Sequence, residues 1–467
     1  MNHTRYARLR QVLYSALLLI AGAESGLATP PAYQGLRYDE NYTYLENAAN
    51  RTDWLDPIKY IPLGGDHAWA GLGGEFRERY EYFDHTLWGQ GPQDRNGYWL
   101  QRAMLHADLH LNDQVRFFAQ IKSGIEGDRE GGPRATDEDR LDLHQAFVDV
   151  RTEFGESRSL TLRIGRQELA FGSSRLISFR EAPNVRLSFD GVHGILQGAG
   201  WRVDALAVEP VQTRPGIFDD GADRGQKLWG VYAVTPFPSL PGGHLDFYYL
   251  GLERKTARFD QGVAREERHS LGVRLWGGQS GWDYNFEFVE QFGTFGSADI
   301  EAWTAASDTG FTFVHARMQP RLGLKADIAS GDHNLHDGKL GTFNALFPRG
   351  AYFNESALIG PANLVDVHPS LTLQPTASVT VTCDADFIWR ESVQDGLYGP
   401  AVNLLRSGRT SGARYVGTQP SLTAEWRASR HWTVAACYAH FYSGAFIRSS
   451  GPGDDVNYAT TWITFKF

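Results

Sequence analysis

The chain has 467 residues and a formal net charge of -10, and aromatic residues make up 13% of it. This acidic balance argues against a nucleic-acid partner, because binding to phosphates relies on lysine and arginine. Two cysteines are too few for a disulfide framework in a chain of this length. The sequence leaves open whether Cys383 and Cys437 pair in an oxidising compartment.

The first 28 residues have the organisation of a secretory signal peptide. Arg5, Arg8 and Arg10 form a basic start, the apolar run VLYSALLLIAGA follows, and small residues end at Ala28. A membrane anchor is the alternative, but the apolar run is shorter than the ~20 residues that a spanning helix needs. We expect cleavage after Ala28, which removes three arginines and one glutamate and leaves a formal charge of -12.

Residues 29–67 form the second part of the predicted organisation. Within them, the stretch that begins RTDWLDPIKYIPLGG at residue 51 lacks the alternation of a membrane strand. We interpret this part as a periplasmic or pore-associated segment, folded inside a pore or at its periplasmic mouth. A plain linker is the alternative interpretation.

From residue 68 to residue 467 the dominant pattern has a period of two, which is typical of strands with two different faces. Nearly every second position is apolar in RAMLHADLHLN (102–112), WDYNFEFVEQF (282–292) and SVTVTCDADFIWR (378–390). About 18 such strands follow one another, the first at Trp69–Phe83 and the last at Val456–Phe467. Residues 68–467 therefore form one all-β unit in this interpretation.

The connections between these strands alternate in length. Short turns occur at 111–113, 198–200 and 428–431, whereas 84–96 and 126–139 are long and polar. This asymmetry is typical of a transmembrane antiparallel up-and-down β-barrel, with short periplasmic turns and long extracellular loops. We therefore expect about 18 strands in the outer membrane of a Gram-negative bacterium.

The C-terminal stretch NYATTWITFKF fits the closing strand of such a barrel. Ile463, Phe465 and Phe467 form an apolar face towards lipid, and Thr464 and Lys466 face the lumen. The strand must pair with the first one, because an open sheet edge is not stable in lipid. A terminal aromatic also resembles the C-terminal signal of outer-membrane proteins, so we expect the barrel-assembly machinery and outer-membrane lipid as partners.

The same alternation directs many charged side chains into the lumen, where rings of charge select solutes by sign. Arginine suits carboxylates, since its planar group donates two parallel hydrogen bonds. Mutual pairing that only braces the wall is the alternative for each single residue. The predicted basic wall residues are Arg77, Arg79, Arg102, Arg116, Lys122, Arg163, Arg274, Arg321, Lys325 and Arg390. The predicted acidic ones are Glu75, Glu81, Asp108, Asp149, Asp283, Glu287, Asp327, Asp384 and Asp386.

Several long motifs resemble the alginate export family of outer-membrane porins. They are DWLDPIKYIPLG, RIGRQELAFGSSRLIS with the downstream FDGV, ASGDHN, GTFNALFPRGAYF and LIGPANLVDVHPSLTLQPT. The resemblance extends from about Asp53 to Phe467, which is nearly the whole exported chain. It implies an 18-stranded monomeric barrel with an electropositive constriction.

The resemblance also assigns residues. The family motif GRQ corresponds to Gly165, Arg166 and Gln167, so that Arg166 is a pore-lining candidate if a bulge at Gly165 turns it inward. The family's exporter has a charged pair on the preceding strand, where this chain has His144 and Gln145. This difference means that the resemblance implies transport more securely than it implies the cargo. The loop at 331–363, which begins after Ser330, is expected to fold over or into the pore.

The favoured function is the passive, anion-selective passage of an acidic polysaccharide, such as an alginate-like polyuronate, or of a related anionic solute. An unselective or small-carboxylate uptake channel on the same barrel is the alternative. A hydrolase is disfavoured: Asp366, His368 and Ser370 share a strand face, but neighbours on one face lie ~6.5–7 Å apart. Triad members must be within hydrogen-bonding distance of ~2.6–3.2 Å. We predict no enzymatic activity.

No cofactor is predicted from the sequence, apart from Ca²⁺ as a possible ligand of an external loop. The loop at 126–140 is acidic, but its residues do not have the spacing of an EF-hand. A solvated run of charges is the simpler interpretation.

Overall fold

In a computed structural model of the chain, residues 31–65, 67–155 and 157–467 are described, and the predicted signal peptide lies outside them. Within these ranges, 18 antiparallel strands form one closed barrel. Their bounds are β1 Trp69–Asp84, β2 Tyr98–His110, β3 Val115–Gly127, β4 Asp139–Phe154, β5 Arg158–Gln167, β6 Phe189–Gly198, β7 Trp201–Gln212, β8 Gln226–Pro236, β9 His244–Phe259, β10 Gly262–Gln279, β11 Trp282–Phe295, β12 Ala298–Thr312, β13 Arg321–Ala329, β14 Leu364–Thr376, β15 Val379–Trp389, β16 Tyr415–Arg427, β17 Trp432–Ser443 and β18 Val456–Lys466.

The last strand closes the barrel on the first one. Strand β18 pairs with β1 in a regular antiparallel register, in which Phe465 lies opposite Phe76 and Ile463 lies opposite Glu78. This pairing satisfies the backbone edges of β1 and β18, which would otherwise be open in lipid. The predicted strand number and the predicted closure are both confirmed.

The connections follow the predicted asymmetry, with one difference. The external loops at 168–188 (L3), 330–363 (L7) and 390–414 (L8) are the longest connections of the described barrel. However, β9 and β10 are joined by only two residues, and so are β11 and β12. These four strands have 14 to 18 residues each and extend as hairpins where long external loops were expected.

The two faces of the wall are the ones that alternation predicts. Outward side chains such as Phe76, Leu105 and Ile164 are exposed, while inward ones such as Arg102 and Arg163 are almost fully buried. The inward residues are buried because other parts of the chain fill much of the lumen. In the external half, Ile177 of L3 and Phe347 of L7 belong to an apolar cluster with inward residues of β7 to β12.

The N-terminal segment is attached to the inside of the barrel. Arg37 donates hydrogen bonds to the carbonyl oxygens of Gly74 (2.8 Å) and Phe467 (2.7 Å). Tyr38 is buried against the inward rings of Phe118 and Phe147, with centroid distances of 6.1 and 5.4 Å. These contacts place the segment at the end of the barrel where β18 terminates.

The remaining elements are short. Small strand pairs involve Ile61–Pro62, Gly221–Ala222, Lys339–Leu340, and Leu397–Tyr398 with Leu404–Arg406. Helices and helical turns lie at Arg37–Asp39, Thr43–Glu46, Ala48–Asn50, Asp56–Lys59, Thr86–Gly89, Gly408–Thr410 and Ala445–Ser449. No helix among the described residues has the length and apolarity to cross a membrane.

Candidate functional site: loops L3 and L7 inside the lumen

Loops L3 and L7 meet inside the barrel and bond to each other through their backbones. The amide of Phe347 donates to the carbonyl of Leu176 (2.8 Å), and the amide of Arg349 donates to that of Ser174 (3.1 Å). Next to these bonds the two loops approach closely, since a Cβ added to Gly350 would lie 2.8 Å from Cδ of Pro183. L3 and L7 therefore form one joint structure across the lumen.

L3 is held in place by buried polar contacts at its start. His144 Nε2 lies 2.8 Å from Glu168 Oε1, and Gln145 accepts a hydrogen bond from the Glu168 amide (3.0 Å). Arg186, near the end of the loop, pairs with the same carboxylate at 2.8 Å. Desolvation raises the pKa of Glu168 to about 7, although the Arg186 charge opposes this shift. Both ends of L3 are therefore tied to one buried carboxyl group.

Three arginines surround a carboxylate at the tip of L3. Arg102 lies 2.5 Å from Glu181, Arg186 lies 3.2 Å from it, and Arg77 lies 4.0 Å from it. The Glu181 side chain is nevertheless 47% exposed, so it faces water in the lumen. Desolvation raises its pKa, but the arginines, led by Arg102, outweigh this and hold the pKa of Glu181 well below its usual range. We call these four residues the arginine–Glu181 cluster.

Next to this cluster, three cations have no carboxylate partner. Lys325 Nζ and Arg349 Nη2 both donate to the carbonyl oxygen of Tyr352, at 3.0 and 3.2 Å. Arg180 Nε donates to the carbonyl of Pro348 at 3.3 Å. Within the described part of the chain, no carboxylate lies within 4 Å of a charged nitrogen of Arg180, Lys325 or Arg349. We call these three residues the unpaired cations.

Two of the unpaired cations, Arg180 and Arg349, lie in the loops. Burial lowers the pKa of Arg180 to about 10, which leaves the guanidinium protonated at pH 7. Arg349 is exposed. Carbonyl oxygens satisfy some of their N–H groups but supply no opposite charge. A solute with a carboxylate group would supply that charge.

Most of the predicted basic wall residues are inward but paired with acids or with loop backbone. Arg79 bonds Glu81 (2.7 Å) and Glu355 of L7 (3.0 Å). The other pairs are Arg116 with Asp108 (2.7 Å), Lys122 with Asp139 (2.7 Å), Arg163 with Asp149 (2.7 Å), Arg274 with Asp246 (2.8 Å), Arg321 with Asp283 (2.5 Å), and Asp327 with Arg175 (2.8 Å). For these residues the geometry is that of wall bracing.

Three of the predicted pore-lining residues are completely covered by protein. His144 and Gln145 are 0% exposed and lie behind L3, whose first carboxylate they hold. Arg390 is also 0% exposed and follows the end of β15, where it donates to carbonyl oxygens of L8, including that of Asp395 (2.8 Å). The expectation that these residues line the open lumen is therefore wrong, because folded loops cover them.

The expected bulge at Gly165 is also absent from the pairing of β5 with its two neighbours. Both registers are continuous there, with Arg166 opposite Ala146 and Asp190. Arg166 consequently shares the outward face with Ile164, and its guanidinium binds Asp190 at 2.7 and 3.0 Å. The next residue, Gln167, is the one of the GRQ motif that faces the lumen side, where it is fully buried.

Sequence reasoning missed Arg180, Glu181, Arg186 and Arg349. All four lie in loops, where a two-residue period carries no information on side-chain direction. A signal for one of them was present: Arg349 lies within the motif GTFNALFPRGAYF, which carries the family resemblance, whereas Arg180 lies two residues beyond the motif that ends in RLIS.

The structure does not assemble the hydrolase-like triad. His368 Nε2 lies 3.1 Å from Asp384, and no hydrogen bond joins His368 to Ser370 among the described residues. Near the loop at 126–140, Asp139, Asp142 and Asp220 could together hold a metal ion, but the Lys122 ammonium is 2.7 Å from Asp139 and 3.0 Å from Asp220. Calcium binding by this loop stays a prediction.

Comparisons with known proteins agree with this architecture. Similar solved structures include Pseudomonas aeruginosa OccK3 (OpdO), with a TM-score of 0.57, 12% identity and coverage of 85% of this chain and 95% of that one. OpdK with vanillate has a TM-score of 0.57 and 10% identity over 85% of this chain and 98% of that one. OccK2 (OpdF) in complex with glucuronate has a TM-score of 0.56 and 10% identity over 86% of this chain and 98% of that one.

At these identities the likeness concerns the fold alone, which is that of an outer-membrane porin. No curated protein sequence matches the chain. The profile of the alginate export family, however, matches residues 68–460, which is most of the chain and the whole of the barrel except its last residues. The chain therefore belongs to the alginate export family, as an outer-membrane β-barrel channel.

Proposed function

We propose that this channel passes an acidic polysaccharide of the polyuronate type, or a related anionic solute, passively and with a preference for anions. The observation that carries the proposal is the group of unpaired cations, Arg180, Lys325 and Arg349, at the point where L3 and L7 meet. No carboxylate of the described chain lies within 4 Å of their charged nitrogens, although Asp327, Asp366 and Asp386 act on Lys325 at longer range.

The arginine–Glu181 cluster adds to this argument. Glu181 shows that a carboxylate is accommodated in the lumen by guanidinium groups of the wall and of L3, with contacts of 2.5 and 3.2 Å. Such charge-assisted contacts are stronger than neutral hydrogen bonds. A uronate carboxylate has the same chemistry as the side chain of Glu181, so that the neighbouring unpaired cations are suited to bind it.

The attraction between these cations and an anionic solute is large enough to measure. For a solute about 8 Å from one cation, at an effective dielectric constant of about 40, the interaction is about 1 kcal/mol. Salt at about 0.1 M, with a Debye length of about 10 Å, halves it. Three cations then favour an anion by about 1.5 kcal/mol, or roughly tenfold in local concentration. This is selective and still weak enough for release, as conduction requires.

The test is a conductance measurement on the purified protein in planar bilayers. Under a KCl gradient at low ionic strength, the reversal potential should indicate anion preference, and oligomers of a uronate should block the current. The variant Arg180→Gln/Arg349→Gln should lose most of the preference and of the block. A matched control is Arg95→Gln/Arg317→Gln, which removes two exposed arginines that lie in an external loop and a periplasmic turn.

Cation preference in the wild-type protein would contradict the proposal. Equal changes in the lumen variant and in the control variant would also contradict it, because net charge alone would then explain the selectivity.

A small-carboxylate uptake channel is the second candidate. It is favoured by the fold shared with OpdK and OccK2, which were solved with vanillate and with glucuronate. Swelling of proteoliposomes separates the two candidates. A channel for small carboxylates admits glucuronate but is not blocked by long uronate chains, whereas a polyuronate channel is occupied by them.

A further inference from the structure

Two acidic side chains and a histidine form a cluster on the inner wall beside Lys325, whose residue lies opposite His368. Asp366 and His368 are two residues apart on β14, and Asp386 is on the neighbouring strand β15. Asp366 and Asp386 are each 1% exposed and His368 is 8% exposed. One ligand atom from each of the three residues lies within 4.8 Å of the others. This spacing is small enough for one ion to contact all three side chains.

These carboxyl groups lack partners outside the cluster, which is unusual for buried polar groups. The carboxyl groups of Asp366 and Asp386 interact with each other, but among the described residues no hydrogen-bond donor from outside the cluster reaches their oxygens, and Nδ1 of His368 has no partner. The other nitrogen of His368 lies 3.1 Å from Asp384, which fixes the orientation of the ring. Histidines that bind metal ions commonly donate their other ring N–H to a carboxylate, which fixes the orientation of the ring.

The nearby cations make their direct contacts elsewhere, although Lys325 acts on Asp366 and Asp386 from beyond 4 Å. Lys325 donates to the carbonyl of Tyr352. Arg175 pairs at 2.8 Å with Asp327, the residue that lies opposite Asp366 on the neighbouring strand. Within the described residues, no lysine or arginine nitrogen lies within 4 Å of Asp366 or of Asp386. Two buried carboxylates without a cation in direct contact are costly.

The chain offers an internal comparison for this arrangement. Asp139, Asp142 and Asp220 form a similar acidic group, and there the Lys122 ammonium contacts two carboxylates at 2.7 and 3.0 Å. In the group on β14 and β15 no ammonium contacts the carboxylates directly, since Lys325 acts on them only from beyond 4 Å.

We infer that Asp366, His368 and Asp386 bind a divalent transition-metal ion. Two carboxylates and a neutral imidazole carry two negative charges, which a divalent ion cancels. The mixed oxygen and nitrogen set suits Zn²⁺ or Mn²⁺, while Ca²⁺ and Mg²⁺ favour oxygen ligands alone. With three protein ligands, a fourth position remains for water. The ion would tie β14 to β15 and cancel negative charge on the wall that carries Lys325.

The experiment uses the full exported chain in detergent, stripped with a chelator, and Zn²⁺ as the probe. We expect one Zn²⁺ per chain by isothermal titration calorimetry and elemental analysis. Asp366→Asn and Asp386→Asn each remove one ligand and should weaken binding by at least about 100-fold. The matched control is Asp283→Asn, which removes an inward acid on β11 that is paired with Arg321.

Two further measurements make the test independent of folding and of transport. Heat-modifiable mobility in gels shows whether each variant has formed its barrel, and X-ray absorption of the zinc-loaded protein should show one nitrogen and at least two oxygen ligands. Absence of stoichiometric binding in the folded wild-type protein would overturn the inference, as would equal binding by Asp366→Asn. An infrared carbonyl band of a protonated carboxylic acid that disappears in Asp366→Asn would identify a shared proton instead. All of these outcomes are read from metal binding and spectroscopy without a transport measurement, so failure here is distinguishable from failure of the proposed function.

Discussion

Glu181 is the residue whose substitution tests the electrostatic reasoning most directly. In Glu181→Gln the carboxylate is lost, while the partners of its three arginines change unequally. Arg102 keeps Glu75 (2.5 Å) and Arg186 keeps Glu168 (2.8 Å), but Arg77 keeps only carbonyl oxygens of L3. The lumen gains one positive charge at an exposed position, and the backbone contacts that hold L3 remain. We therefore expect a folded channel with a stronger preference for anions.

The size of this effect follows from the position of the charge. A unit charge about 6 Å from the path of a solute, at an effective dielectric constant of about 50, contributes about 1.1 kcal/mol. Screening at about 0.1 M salt reduces this to about 0.6 kcal/mol. Because an anion gains this amount and a cation loses it, the anion-to-cation permeability ratio should rise about eightfold.

The assay is the reversal potential of single channels in a KCl gradient, compared between the wild-type protein, Glu181→Gln and Glu181→Asp. The aspartate variant keeps the charge and should stay near the wild-type value. The rise should shrink at about 1 M salt, where the Debye length is about 3 Å. An unchanged or reduced ratio in a folded Glu181→Gln channel would refute the idea that charges at the tip of L3 control selectivity.

Three other predictions concern the docking of L3, the docking of the N-terminal segment and the accessibility of the two cysteines. Since burial raises the pKa of Glu168 to about 7, L3 docks with a proton bound: stability is highest below the ordinary pKa of a glutamate and is lost as the pH rises through 7. Loop-gating noise should therefore grow between pH 5 and pH 8, and Glu168→Gln should abolish this dependence. Tyr38→Ala removes the ring that packs edge-on against the stacked rings of Phe118 and Phe147, which should cost the docked N-terminal segment about 3–5 kcal/mol and expose it to protease. Cys383 is exposed and Cys437 is buried, and both are free thiols, so the folded protein in detergent should react with a maleimide at Cys383 alone.

The barrel could be predicted from the sequence because its pattern is local. In each strand, alternate residues point to opposite faces, and lipid on one side forces those residues to be apolar. The inward direction of Arg102 and the outward direction of Leu105 follow from this rule. The pairing of β1 with β18 follows from the need to close the sheet in lipid. The rule does not predict irregular pairing. The register between β3 and β4 shifts beside His144, so that both His144 and Gln145 are buried.

The lumen could not be predicted in the same way, because its contents depend on contacts between distant residues. L3 is joined to L7 by a hydrogen bond between Phe347 and Leu176, which are far apart in the sequence. Alternation assigns Arg77 to the interior but does not reveal that L3 carbonyls occupy it. For the same reason, the charges of Arg180 and Arg349 could not be placed on either side of the wall.

These contacts give the barrel wall and the loops different roles, with stability depending on the wall and selectivity on the loops. A barrel of 18 strands encloses a wide aqueous space unless loops narrow it. Here Ile177 and Phe347 narrow it by packing on inward apolar residues such as Leu250, which form a buried core inside the barrel. Wall charges such as Arg163 and Asp149 are then covered or paired, so their loss should affect stability more than selectivity. Selectivity should instead follow the tips of L3 and L7, whose charges remain open to the solute.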